Sequence, residues 1–290
     1  MKSIAEIVKQ TEFSDADIVR LLGITDSAEA EILQQAAYET TTRHLGNNVY
    51  YRGLIEFSNI CTLDCRYCGI RKSNHAVPRY ELTHEQIVEA AVWAAHNQYG
   101  SICLQSGERR DPKFIQFVTD VLKEIHARTV SDDLPDGLGI TLSMGEQTLE
   151  TYCQWAEASG NPKGLRYLLR FETSDEALFN HLHGGAGLHE KGLQRRFEAL
   201  GRLRKAGYQV GSGVMIGLPG QTLENLCKDI RTFQALDLDM IGMGPYITSQ
   251  GADMTDEGMM DKTSLMRLSL NMLSTTRLVI PDVNMAAATA

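Results

Sequence analysis

The feature that most constrains this chain is a repeated alternation, beginning at residue 54, of short apolar runs with amphipathic helical stretches. That texture is expected of parallel strands joined by crossover helices. Seven strands are predicted, over residues 54–58, 102–107, 138–144, 166–172, 209–218, 240–246 and 278–284. Helical stretches between them cover 83–98, opened by a Thr83/Gln86 capping-box pair, and then 112–128, 146–159, 188–206, 222–236 and 263–277. Units starting roughly 30 to 45 residues apart favour an α/β fold of the TIM-type (β/α) barrel kind, or an open relative, over a doubly wound sheet. No eighth strand is visible. The sequence is therefore expected to be cropped at its C-terminus, because an open seam would expose two strand edges. Residues 1–50 read as an N-terminal helical extension, with Ser14 capping a helix that carries Ile18, Leu21 and Leu22 and a second run over 27–45. The expected division is an extension over 1–50 and a barrel over 51–290.

Composition narrows the partners more than the fold. With 290 residues and 43% hydrophobic content, one barrel or two domains would both fit. The 28 Lys and Arg stand against 37 Asp and Glu, a formal charge of -9, which disfavours nucleic acid and anionic membrane surfaces and favours a small-molecule ligand. Met1-Lys2-Ser3-Ile4-Ala5-Glu6 is broken by charge before a signal-peptide stretch could form, so a cytoplasmic location is expected. Six cysteines, three of them within eight residues, do not resemble a disulfide framework.

Those three lie in Asn59-Ile60-Cys61-Thr62-Leu63-Asp64-Cys65-Arg66-Tyr67-Cys68-Gly69, a C-x3-C-x2-C loop leaving the first strand, where barrel enzymes place their chemistry. Three thiolates can hold three corners of a cubane cluster and leave the fourth iron open for a ligand. Structural zinc is the plainer reading, but it normally takes four ligands in two pairs, and no second C-x2-C pair exists; His75 would have to complete the set. As isolated core cysteines they fit poorly, since Thr62, Asp64 and Arg66 between them are polar.

The C-x3-C-x-Tyr-C loop after a first strand is similar to the signature of the radical S-adenosylmethionine (SAM) superfamily. That resemblance implies a four-iron, four-sulfur (4Fe-4S) cluster on Cys61, Cys65 and Cys68, with SAM chelated at the open iron. An electron from a donor such as a ferredoxin or flavodoxin would then break the sulfonium bond and give a 5'-deoxyadenosyl radical. The stretch from Tyr51-Arg52-Gly53 to Gly69-Ile70-Arg71 more narrowly resembles the HydE group of FeFe-hydrogenase maturases. Leu104-Gln105-Ser106-Gly107-Glu108, Leu169-Arg170-Phe171-Glu172-Thr173, Gly217-Leu218-Pro219-Gly220-Gln221-Thr222 and Gly242-Met243-Gly244-Pro245-Tyr246 agree with it. This implies a part in assembling the di-iron subcluster, with an organometallic iron-carbonyl-cyanide-cysteine substrate and other hydrogenase maturases as partners. A radical amino-acid mutase resembling methylornithine synthase shares the barrel and the loop. A non-catalytic iron-sulfur or zinc carrier is the reading from another class, and Glu108, Glu172 and Arg196 argue against it.

By the same resemblance, Ser106, Gly107 and Glu108 hold the methionine amino group of SAM, Glu172 serves its ribose or amino end, and Arg196 pairs with its carboxylate through a planar fork. Taken without the resemblance, Glu172 is an interior ion pair and Arg196, with Arg195, a solvated helix face. The segment with Met215 and Ile216 corresponds to the stretch whose backbone meets the adenine, with Tyr67 nearby. Gln105, Thr141, Arg170 and Tyr246 are implied to lie near the substrate. Cys103 falls where biotin synthase has one ligand of a second cluster, but Thr141 and Gly211 stand at the other two positions. Cys103, Cys153 and Cys227 are accordingly read as small buried apolar residues, and residues 180–185, with His181 and His183, as a loop.

Overall fold

The computed structural model describes residues 2–184, 192–254 and 258–287. Seven strands, β1 (Gly53–Ser58), β2 (Ser101–Ser106), β3 (Gly139–Ser143), β4 (Leu165–Leu168), β5 (Gln209–Ile216), β6 (Met240–Pro245) and β7 (Asn284–Ala287), pair in sequence order. Every pairing is parallel. The sheet curls into an open barrel, the architecture expected from the alternation. Among the described residues β1 and β7 do not pair with each other.

Among the described residues ten helices precede or link these strands: α1 (Ile4–Ile7), α2 (Asp15–Leu22), α3 (Ser27–Leu45), α4 (His84–His96), α5 (Pro112–Thr129), α6 (Leu149–Ser159), α7 (Glu176–Leu182), α8 (Gly192–Lys205), α9 (Leu223–Ala235) and α10 (Lys262–Val279). Local chemistry fixes their starts. Ser14 and Thr83 each close a reciprocal capping box, with Asp17 and Gln86, and Asp111 caps α5 with Pro112 in its first turn. Alternation along the strands then sorts the side chains. Ile102, Leu104, Ile140, Leu142 and Val210 are buried in the main core, which Val88, Val121, Leu122 and Trp155 fill from the helices. Ile18, Leu21 and Leu22 of α2 and Leu33 of α3 join that same core, and Asn271 of α10 donates to the Leu22 and Ile24 carbonyls at 3.1 and 2.9 Å.

The opposite face looks into the barrel, and there β5 and β6 approach closely. A Cβ on Gly213 would stand 1.8 Å from the Gly242 carbonyl oxygen, so only glycine fits. None of the described helices is long and apolar enough to cross a membrane.

Four local expectations need correction. Residues 278–279 are not strand but the end of α10, where Leu278 and Val279 continue a helix face packed on the core. Pro281 follows the helix, Arg277 ties the turn by donating to the Pro281 and Val283 carbonyls at 2.8 Å each, and the strand begins only at Asn284. The β4 ladder stops at Leu168, because the chain beyond it rejoins β5 irregularly through Glu172 at φ 65°. Residues 180–182, read as loop, belong to α7; Gly185 lies outside the described residues. Of the three cysteines read as buried, only Cys227 is; Cys103 is partly buried and Cys153 is exposed on α6.

Candidate active site at the barrel mouth

The cysteine loop is stitched by hydrogen bonds to the segments that follow β2, β4 and β6. Thr62 donates to the Glu108 carbonyl through both its N–H and its hydroxyl, each at 2.9 Å; Arg66 N–H donates to Leu182 O at 2.8 Å, and Asp253 N–H to Arg66 O at 2.7 Å. Gly107 lets β2 meet this loop. An added Cβ would lie 2.4 Å from Ile60 O and 2.7 Å from Cys61 Cβ, closer than side chains tolerate.

Cys61, Cys65 and Cys68 are each partly buried and lie close enough to influence one another. Burial raises all three thiols, Cys65 to about 12, and the neighbouring thiols add to the effect at Cys65 and Cys68. Among the described residues no three His, Cys, Asp or Glu close around a point that could hold a single metal ion. A cubane takes its cysteines at separate corners. The donor set, three soft thiols clustered in one loop, fits the cluster.

Around the thiols stand the charged residues singled out in the sequence. Glu108 is 5% exposed, receives Arg110 Nη2 at 2.5 Å and accepts the Glu146 N–H at 2.9 Å. Burial raises its pKa, and Arg110 opposes the shift. Glu172 is buried beside Tyr67 and pairs with Arg170 at 3.2 Å; burial raises its pKa against Arg170 and Arg196. Its left-handed backbone is unusual for a residue with a side chain and is held by bonds to Gly213 O and from Met215 N–H at 2.9 and 3.0 Å. Arg196 is buried, so it is not a solvated helix face. Its Nε donates to Glu146 at 2.7 Å, its Nη1 to the Arg170 carbonyl, and its guanidinium lies over Phe179. Burial disfavours that charge, yet Glu146 prevails and raises the pKa.

Tyr67, Met215 and Tyr246 meet in a small apolar cluster with Leu182, Leu218 and Met254, while Ile216 turns into the main core. Burial pushes the Tyr67 phenol well above its ordinary value. Ser106 bonds back to Gly107 O at 2.9 Å. Gln105 is exposed and pairs in register with Ser143, whereas Thr141, paired with Cys103, is buried deeper, 3.5 Å from Arg52 Nη1. Arg170 Nη2 donates to Val214 O at 2.8 Å, and its buried Nε has no hydrogen-bond partner among the described residues. The structure thus gathers Cys61, Cys65, Cys68, Tyr67, Glu108, Glu172 and Arg196, with Gln105 and Thr141 set on the inner face below. A separate cavity of about 880 Å³, lined by Arg52, Gly139 and Arg166, opens at the opposite, N-terminal end of the strands.

One residue was missed. Glu146 is 1% exposed and engages Arg196 at 2.7 Å, Arg195 at 3.2 Å and Arg110 at 3.6 Å. The helical pattern sets it at the start of a helix, but Thr148 is the cap of α6 and Glu146 lies before it. A charged residue just past a barrel strand's C-terminal end was the available signal.

An open parallel barrel carrying a three-cysteine loop and buried carboxylates at its C-terminal mouth defines a class, and the radical SAM superfamily model matches residues 55–233. The chain belongs to that superfamily, whose members bind a 4Fe-4S cluster and use SAM, and it is an enzyme of that class. Among characterised relatives it is similar to the [FeFe] hydrogenase maturase subunit HydE of Thermotoga maritima, 36% identical over all of this chain and 77% of the relative. Biotin synthase of Bacillus mycoides is 26% identical over 95% of this chain and 77% of its own length. Of solved structures, methylornithine synthase (PylB) superposes with a TM-score of 0.80 at 25% identity, covering 98% of this chain and 78% of that one. HydG, a maturase of the [FeFe]-hydrogenase, superposes with a TM-score of 0.79 at 19% identity, covering 98% of this chain and 62% of that one, a likeness of fold.

Proposed function

We propose that this chain is a HydE-type maturase acting in assembly of the di-iron subcluster of an FeFe-hydrogenase on an organometallic substrate. The observation that carries the reading is the mouth itself: a three-thiol loop seated on Gly107, ringed by buried Glu108, Glu172 and Arg196, in a chain 36% identical to HydE throughout. Cys61, Cys65 and Cys68 hold the cluster, and Ser106, Gly107 and Glu108 receive the methionine amino group. Arg196, fixed through Nε and Nη1, offers Nη2 to the SAM carboxylate. Glu172 takes the ribose or amino end, and Tyr67, Met215 and the Ile216 backbone keep water from the adenine. Once bound, cluster and SAM supply one-electron cleavage of the sulfonium. Gln105, Thr141, Arg170 and Tyr246 orient the substrate, Arg170 with a buried Nε–H that has no partner among the described residues.

An in vitro hydrogenase maturation mixture lacking its HydE tests the proposal: adding this chain, a one-electron donor and SAM is expected to restore hydrogen evolution. The match to methylornithine synthase, at 25% identity and a TM-score of 0.80, supports a mutase as the second reading. No restored hydrogenase, together with methylornithine formed by the chain, would replace the first reading with that one.

A further inference from the structure

Arg79 lies outside the cysteine motif, after the loop has returned toward β1, and its exposed position gives no hint of a role. Yet its guanidinium makes four bonds to main-chain carbonyls. Nη1 donates to Asn59 O at 2.7 Å and Ile70 O at 2.8 Å, and Nη2 to Arg71 O at 2.6 Å and Asn74 O at 3.0 Å. Asn59 precedes Cys61, and the other three follow Cys68. One side chain therefore joins the two ends of the segment that carries all three thiols. Among the described residues no carboxylate pairs with Arg79, whereas the neighbouring Arg66 and Arg71 are both bound to Asp253. Its guanidinium is thereby held on carbonyls two residues from Cys61 and two from Cys68.

We propose that Arg79 is the positioning residue of the cluster site: it closes the loop around the three cysteines and sets a fixed positive charge beside the cluster they hold. The inference rests on reading those cysteines as cluster ligands. A planar fork with five donors can satisfy carbonyls from both arms of a loop at once, which an ammonium on a flexible stem cannot do as well. Nearby charge is also one of the levers on an iron-sulfur reduction potential, and a cation favours the more negative, reduced state.

The test compares the wild-type chain, Arg79→Lys and Arg79→Gln after anaerobic reconstitution with iron and sulfide, with Cys65→Ala as a loading control. Circular dichroism checks the fold, chelator challenge measures iron retention, and a redox titration followed by electron paramagnetic resonance gives the midpoint potential. Both variants are expected to keep the wild-type spectrum and to retain iron roughly tenfold less well. The residual cluster of Arg79→Gln should be reduced at a more negative potential than that of Arg79→Lys, which keeps the charge. Wild-type retention in both variants, or equal potentials in both, overturns the proposal. Should Arg79→Gln fail to fold, Arg79→Lys decides: weakened retention at a near-wild-type potential supports the assignment, and unchanged retention ends it. A wild-type chain that loads no cluster would instead sink the reading of the cysteines, a separate outcome from a loaded wild type matched by its variants.

Discussion

Glu146 shows how much the mouth depends on one side chain. It holds Arg196 at 2.7 Å from a position 1% exposed, and its N–H fixes Glu108 at 2.9 Å. Removing its charge would leave Arg196 buried without its counterion, and such an orphan is far costlier than the pair is valuable. Glu146→Gln is expected to lower the unfolding free energy by about 3 kcal/mol, seen as a lower urea midpoint at unchanged slope; an unmoved midpoint would mean that Arg196 draws its stability elsewhere. At this scale the cysteines were legible because their spacing is covalent. Glu146 and Arg79 were harder to read, since their partners are a side chain fifty residues away and bare carbonyls; only the place of Glu146 just past a strand end left a mark in local sequence.

At the scale of elements, the loop after β4 is pinned to α9 through Asp229, which accepts the Ser174 N–H and hydroxyl at 2.6 Å each. Burial raises the Asp229 carboxyl to about 7 despite those bonds. Between roughly pH 4 and 7 the folded chain therefore keeps a proton that the unfolded chain has released, so stability falls as pH rises through that window and levels above it. Asp229→Asn cannot titrate. Its stability relative to wild type is expected to improve by roughly 2 to 4 kcal/mol between pH 4 and pH 8, measured by urea unfolding at both; a constant difference would show that Asp229 is ionised in the fold. Most elements could be read from caps and periodicity, as at Ser14 and Thr83. The errors fell where tertiary contacts decide: Leu278 and Val279 are apolar enough for a strand, and only the core behind α10 makes them helix.

For the whole molecule, the sheet runs from β1 to β7 without closing among the described residues, and the N-terminal helices bury Ile18, Leu21 and Leu33 in the barrel's own core. Edge strands have one unpaired flank, so amide exchange should be slowest in β3, β4 and β5 and markedly faster in β7. Uniform protection across the sheet would mean that β7 is covered. The parallel alternation was visible in the sequence because it repeats seven times, whereas the side chains that converge at the mouth come from the ends of several strands and from α8, and become neighbours only when the sheet curls. The central claim is that three cysteines hold a cluster that works on SAM, and the most direct measurement is anaerobic reconstitution followed by reduction with SAM present. About four iron and four sulfide per chain, with 5'-deoxyadenosine released and both lost in Cys65→Ser, is the result predicted; one tightly held zinc, or a fully iron-loaded and reduced chain that releases no 5'-deoxyadenosine, would contradict it.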